Sequence, residues 1–208
     1  EQAVDDGKIR CVWPGSDALY LHYHDAEWGR PVTGDDALFE KLCLEGFQSG
    51  LSWITILRKR ERFREVFHRF EIARVAKMNE SDIERLVLDA GIIRHRGKIA
   101  STINNAHRAL AIQQEFGSFA AYIWRFEPPA ETGADGLTRL AAQPIAETDA
   151  SRALSMDLRK RGFSFVGPTT CYAFMQAMGL VNDHAATCFC RAEVEAARLA
   201  LTRPGQGT

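Results

Sequence analysis

The sequence predicts an all-α domain, and three observations carry that reading. Apolar residues recur at helical spacing over most of the chain, while little of it alternates as a strand would. Hydrophobic residues make up 46% of the 208 and charged residues 25%, ample material for a core. Glycine and proline fall between the periodic stretches, where helices should stop and start. One domain of generous size, or two small lobes sharing a core, fits the length.

The elements follow in order. Residues 1–10 are polar and lack the apolar segment of a secretory signal, so they read as a flexible leader to a domain spanning 11–190, with 191–208 as a tail. Over 35–45, Leu38, Phe39, Leu42 and Cys43 form one stripe behind Asp35 and Asp36, an acidic start that suits a helix N-terminus. Ser52 is placed to cap a helix to about Phe70, with Trp53, Leu57, Phe63, Val66, Phe67 and Phe70 as its apolar face. Ser81 to Glu84 has capping-box spacing, and Gly91 stands where that short helix should stop. A longer helix is expected over 96–114.

Residues 127–147, with Pro128, Pro129, Gly133, Gly136 and Pro144, read as a connecting loop. A helix over 149–161 then meets a turn from Gly162 to Gly167, and Pro168 suits the first position of the next helix. One more helix fits the chain from Arg191, ahead of a frayed end at Pro204 and Gly205. No internal repeat is present.

Composition narrows the function classes. No apolar run is long enough to read as a membrane span. Five cysteines is an odd number, and a chain of this length needs no disulfide staples, so a reducing cytosolic setting is expected. The net charge of −1 excludes a general polycation, yet basic residues gather in three places. Arg58, Lys59, Arg60, Arg62 and Arg64 form the first, Arg94, Arg96 and Lys98 the second, and Arg159, Lys160 and Arg161 the third. Each alone reads as a solvated helix face; two of the three lie beside glycine-marked turns, which shifts the reading toward phosphate contact.

Two ligand pairs sit near opposite ends of the chain. Cys11 and His24 are one; His184 and Cys188 are the other, spaced so that one helical turn presents both donors on one face. Thiolate and imidazole are the donors Zn²⁺ favours, and four of them make a closed tetrahedral site. If the pairs meet, a metal clasps the two ends together.

Aromatic residues crowd the first pair. Trp13, Tyr20, Tyr23 and Trp28 fall close together, Tyr20 and Tyr23 share a helical face, and Glu45 and Trp53 follow. Spacing alone reads first as an aromatic core under a helical bundle. The second reading is a pocket for a flat ring, since aromatic walls with a few aimed polar groups are how proteins hold nucleobases. Glu45 stands just before Gly46 and Gly50, which permit a tight bend, so its carboxylate can face a cavity or plain solvent. The turn from Gly162 to Gly167 is a hairpin between helices whose backbone N–H groups suit a phosphate cradle, holding a duplex in place without reading its bases.

With these pieces together, the chain resembles the 3-methyladenine DNA glycosylase I family, from about Cys11 to Cys190. The strings that carry the likeness are Cys11-Val12-Trp13, Tyr23-His24-Asp25-Ala26-Glu27-Trp28-Gly29, Leu44-Glu45-Gly46 and Gly50-Leu51-Ser52-Trp53-Ile54-Thr55. Further on come Asp89-Ala90-Gly91-Ile92-Ile93-Arg94-His95-Arg96-Gly97-Lys98-Ile99, Arg161-Gly162-Phe163, Phe165-Val166-Gly167 and Gly179-Leu180-Val181-Asn182-Asp183-His184. Val12 stands where a second glycine is expected, which leaves the adjacent cysteine untouched.

The resemblance implies the helix-hairpin-helix glycosylase fold and one structural zinc on Cys11, His24, His184 and Cys188. It implies an extruded-base pocket on Trp13, Tyr20, Tyr23, Trp28, Glu45 and Trp53, with Tyr23 and Trp53 as the stacking pair and Glu45 reading the purine's amino edge. The substrate it implies is 3-methyladenine in alkylated double-stranded DNA, cut by a bacterial, cytoplasmic monomer that leaves free base and an abasic site. Relatives of the wider fold carry a lysine after the hairpin's second glycine; here Pro168-Thr169-Thr170 offers none, which points to hydrolysis by water and not to a Schiff base. Asn182 stands where the wider fold has an aspartate, with Asp183 adjacent. Gln48 or Leu51 is expected to fill the gap left by the flipped base. Two rival readings are a glycosylase-lyase acting on oxidised bases and a non-catalytic zinc module that binds DNA.

Overall fold

The computed structural model describes residues 2–3, 6–129 and 145–205. Among these, ten α-helices carry the fold, and a two-residue antiparallel pair of strands, β1 (Gln2–Ala3) and β2 (Ile9–Arg10), precedes them. The helices are α1 (Ala18–Ala26), α2 (Asp35–Gln48), α3 (Trp53–Val66), α4 (Ile72–Val75), α5 (Glu80–Leu86), α6 (Arg96–Phe116), α7 (Phe119–Trp124), α8 (Asp149–Lys160), α9 (Pro168–Ala177) and α10 (Cys190–Ala200). No described helix is long and apolar enough to cross a membrane.

α2 is the central element. From Leu38 to Phe47 every residue but Glu40 is buried, and a helix apolar on most sides belongs in the middle of a bundle. It packs against α3, α6, α7 and α9. The acidic pair at its start does more than complement a dipole. Asp35 accepts bonds from Phe119 N at 2.9 Å, Ala120 N at 2.8 Å and Gln113 Nε2 at 2.6 Å, tying α2 to the start of α7. Asp36 accepts from Ile72 N at 2.9 Å and caps α4 in the same way.

Four expectations shift at helix ends. α2 runs on to Gln48, so Glu45 sits inside its last turn and not at a helix end. α3 stops at Val66, because His68, Arg69 and Phe70 take left-handed φ values of 54°, 55° and 57° in a single 3₁₀ turn. That conformation is unfavourable for side chains with a Cβ. Phe67 and Phe70 are both fully buried, and the burial holds the turn in place. Ser52 stands at the N-cap of α3 without a capping bond, its hydroxyl paired to Thr55 instead. The capping box of α5 lies two residues earlier than the spacing suggested: Asn79 and Asp82 form it.

The long helix α6 ends at Gly117, whose φ of 83° is the left-handed stop that glycine tolerates. Pro168 opens α9 as expected, and Arg161 to Gly167 turn the chain from α8 to α9. Phe163 and Val166 in this turn are buried, while Phe165 is exposed. Of the expected loop over 127–147, residues 130–144 lie outside the described residues, as does the end of the tail from 206.

Residues close to both ends of the described chain pack onto the domain. Arg10 is buried and bonded to Asp6 and Asp25, and Val194 on α10 is fully buried. Arg198 and Arg203 both reach Glu127, at 3.2 and 2.8 Å.

Candidate active site and metal centre

Four buried donors meet where the chain ends come together. Cys188 Sγ lies 3.5 Å from His24 Nε2 and 3.4 Å from His184 Nδ1, and Cys11 Sγ lies 3.7 Å from His184 Nδ1. A tetrahedral ion with sulfur at about 2.3 Å and nitrogen at about 2.0–2.1 Å sets its sulfur and nitrogen ligands about 3.6 Å apart. All four donor atoms fall within 4.8 Å of one another, so the donor set fits one such ion.

The surroundings aim these donors. His24 turns its other nitrogen to Asp25 at 2.7 Å, and Asp25 is held by Arg10; His184 turns its other nitrogen to the Trp28 carbonyl at 3.1 Å. Such outer bonds set which nitrogen faces a metal. Ala185 N donates to Cys11 Sγ at 3.3 Å. Gly29 is required here: its φ is 82°, and a Cβ on it would stand 3.1 Å from His184 Nε2. Burial pushes the His184 imidazolium down to about 4 and the Cys11 thiol up to about 12, so the imidazole is neutral near pH 7 and only a cation would hold the thiolate.

Beside this cluster lies a box of aromatic rings around two buried charges. Tyr23 on α1 and Trp53 at the start of α3 have ring centroids 5.4 Å apart with planes at 42°. Glu45 is buried on α2, and its Oε1 is 2.7 Å from the Nζ of Lys41, one turn earlier on the same helix. Lys41 Nζ also donates to Tyr23 OH at 2.7 Å and sits 3.1 Å from the Trp53 ring centroid. Two buried polar atoms of the box, Glu45 Oε2 and Trp53 Nε1, have no hydrogen-bond partner among the described residues. Buried polar groups are nearly always paired, so an open acceptor and an open donor on two residues of one box are candidates for a ligand contact.

A family model for methyladenine glycosylases matches residues 13–191. The chain belongs to the methyladenine glycosylase family. It is 53% identical to the DNA-3-methyladenine glycosylase 1 of Escherichia coli (strain K12), over 87% of this chain and 96% of that protein. It is 47% identical to the DNA-3-methyladenine glycosylase of Haemophilus influenzae, over 88% and 97%. A solved structure of the 3-methyladenine DNA glycosylase I of Staphylococcus aureus, described as the structural basis of 3-methyladenine recognition, superposes with a TM-score of 0.78 at 36% identity, covering 88% of this chain and 96% of that one.

Against the family expectation, the residues singled out from sequence divide into two groups. Tyr23, Glu45 and Trp53 meet around Lys41 Nζ, and two of them carry the open atoms. Tyr20 and Trp13 border them, with Trp13 4.9 Å from Tyr20, 6.3 Å from Tyr23 and 5.3 Å from His24 by ring centroids. Trp28 belongs with the donor cluster: its ring is 4.7 Å from that of His184 and 5.1 Å from that of Trp13. Lys41 was missed, because one lysine inside an apolar helix reads as an ordinary snorkelling side chain. Its only sequence signal was the spacing to Glu45, one helical turn on.

The expected phosphate-facing groups are mostly engaged elsewhere. Arg58 pairs with Asp17, Arg60 with Glu27, Arg62 with Asp89, Arg64 with Glu40, Arg96 with Glu80 and Glu84, and Arg161 with Glu115. Lys98 is buried and donates to the carbonyls of Phe47 and Ser49, at 2.8 and 2.7 Å, fixing the bend that carries Gln48 and Leu51. Leu51 is exposed at the tip of that bend. Arg94, Arg159 and Lys160 remain exposed and have no ion pair among the described residues.

The turn between α8 and α9 lies against the 91–98 segment, with His95 and Phe165 rings 6.0 Å apart. Asn182 is tied to α10, donating to Glu195 and to the Arg191 carbonyl. Asp183 is held from α9 by Tyr172 and by Gln176 at 2.8 Å. Val12 is exposed, so the departure from glycine there costs nothing in packing.

Proposed function

We propose that the protein is a monofunctional DNA glycosylase that hydrolyses the N-glycosidic bond of 3-methyladenine in alkylated double-stranded DNA, releasing the free base and leaving an abasic site. The observation that carries it is the pair of open buried atoms, Glu45 Oε2 and Trp53 Nε1, inside a ring-lined box of a methyladenine glycosylase. A carboxylate accepts from a purine's amino edge, and the ring faces beside it suit a flat cation. Tyr23 and Trp53 adjoin and do not face each other; at 5.4 Å they leave less than the about 7 Å that two stacking contacts of roughly 3.5 Å need. The base therefore lies against them as neighbouring walls, with Tyr20 and Trp13 closing the side.

Little acid–base machinery is required. A purine alkylated at N3 is positively charged while joined to deoxyribose and leaves as a neutral base, so its bond is already weakened. The ring faces attract that cation by about 0.5–2 kcal/mol, and Glu45 adds to the attraction; neutral adenine gains less. Grip on the ground state does not by itself speed the reaction. As the bond lengthens the positive charge passes to the sugar, where Glu45 and the flanking phosphates stabilise it.

The remaining parts position the duplex. We read the α8–α9 turn as the helix-hairpin-helix element, with Arg94, Arg159, Lys160 and the first amides of α9 on phosphates and Leu51 or Gln48 filling the space of the flipped base. Cys11, His24, His184 and Cys188 would hold one zinc ion, whose contribution when bound is to staple the two chain ends. The free state of all five cysteines supports a reducing, cytoplasmic setting, and we take the enzyme to act as a monomer. Incubation with methylated duplex DNA, followed by chromatography of the released bases, tests the reading: 3-methyladenine should appear, and its absence would overturn it.

A further inference from the structure

The base site already contains a cation. Lys41 Nζ touches the three groups that hold the alkylated base in the reading above: Glu45 Oε1 and Tyr23 OH, each at 2.7 Å, and the Trp53 face at 3.1 Å. The residue is 5% exposed, so this ammonium is not a solvated neighbour of the pocket but its filling. At 3.1 Å from the ring centroid it covers the face on which a base would lie, and no purine fits between them.

We propose that Lys41 is a resident cation that competes with the charged base, so that the lesion enters only as the ammonium gives up its place or its proton. The inference rests on the base-site reading of Tyr23, Glu45 and Trp53. Its physical basis is charge balance. Separating a buried carboxylate from the cation paired to it is costly unless another cation replaces it. An N3-alkylated purine brings that charge and a neutral purine does not, so Lys41 turns a weak preference for charge into an exchange of one cation for another.

Four neighbours set the charge state of Lys41. Glu45 on its own helix and Glu27 beyond α1 favour the ammonium; Arg60 on α3 disfavours it; Tyr23, the remaining titratable group, is held as a neutral phenol by burial and by Glu45. Burial outweighs the rest and brings the ammonium down to about 8. The competitor is therefore charged below that value and neutral above it.

The test uses the full chain and 3,9-dimethyladeninium, a fixed cation alkylated at both positions that matter in the damaged nucleotide, with binding followed calorimetrically from pH 6 to 9. Wild-type affinity should rise with pH through about 8. At pH 7 only about a tenth of the protein has a neutral Lys41, so Lys41→Met should bind about tenfold more tightly than wild type, with a flat profile. A purely structural lysine would not produce the pH dependence, and the wild-type profile needs no variant to fold. A flat wild-type profile, or equal or weaker binding by Lys41→Met, overturns the inference. Trp53→Ala separates the two readings: if it leaves binding of the cation unchanged, the base site itself is misplaced.

Discussion

Asn105 and Ser164 exchange two hydrogen bonds across the fold. Asn105 Oδ1 accepts from Ser164 N at 3.0 Å, and its Nδ2 donates to Ser164 O at 3.0 Å. The amide thereby mimics a backbone partner and pins the α8–α9 turn to α6. Ser101 and Asn104 add bonds to Ser164 and Gly162 from the same helix.

Replacing Asn105 with Ala should loosen this turn without touching the base box. The Ser164 carbonyl keeps its bond from Ser101 Oγ, but losing the two Asn105 bonds, at about 0.5–1.5 kcal/mol each, should lower the melting temperature. Duplex affinity, followed by fluorescence anisotropy, should fall, while binding of free 3-methyladenine should not. Unchanged duplex affinity would remove this turn from the DNA-binding surface.

Replacing Cys188 with Ala removes the sulfur that lies within 3.5 Å of both histidines. The variant should lose bound metal, by elemental analysis, and melt at a lower temperature, because metal affinity is folding free energy when the site exists only in the folded chain. Equal metal content and equal stability would dismiss the metal centre.

Glu45→Gln keeps the shape of the side chain and removes its charge. Release of 3-methyladenine should slow roughly ten- to a hundredfold, the equivalent of a charge-assisted hydrogen bond of about 1.5–3 kcal/mol. Circular dichroism should stay native. Unaltered excision would show that the carboxylate does not meet the base or the departing charge.

Asp157 links stability to pH. Burial works against its ionised form, but the bonds from Tyr122 and Arg161 outweigh burial and hold its carboxyl below 3.8. A depressed carboxylate stabilises the fold above its unfolded value, and the benefit is lost as pH falls toward the folded one. Asp157→Asn should therefore be less stable than wild type at pH 7, with the gap closing below about 3.8 in denaturant melts. A gap independent of pH would assign the effect to packing alone.

Much of this architecture was legible because it is local. The stripe through Leu38, Phe39 and Leu42, the Gly162–Gly167 turn and Pro168 at the start of α9 each depend on residues a few positions apart. Side-chain destinations were not legible. Asp35 reads as a helix start, yet it reaches the amides of Phe119 and Ala120, and the Arg58 to Arg64 run reads as a cationic face until each of its arginines meets its own acid. Ion pairing between distant segments leaves no period in a sequence.

By itself the sequence determined the helical class, the donor types near each chain end, and the aromatic and acidic residues grouped near Glu45. Periodicity and residue chemistry are properties of short stretches, so they survive without coordinates. Only the tertiary structure decided that Cys11 and His24 meet His184 and Cys188, that Trp28 stands with that cluster, and that Lys41 lies between Tyr23, Glu45 and Trp53. Those facts depend on how helices cross, which is settled by packing among residues far apart in the chain.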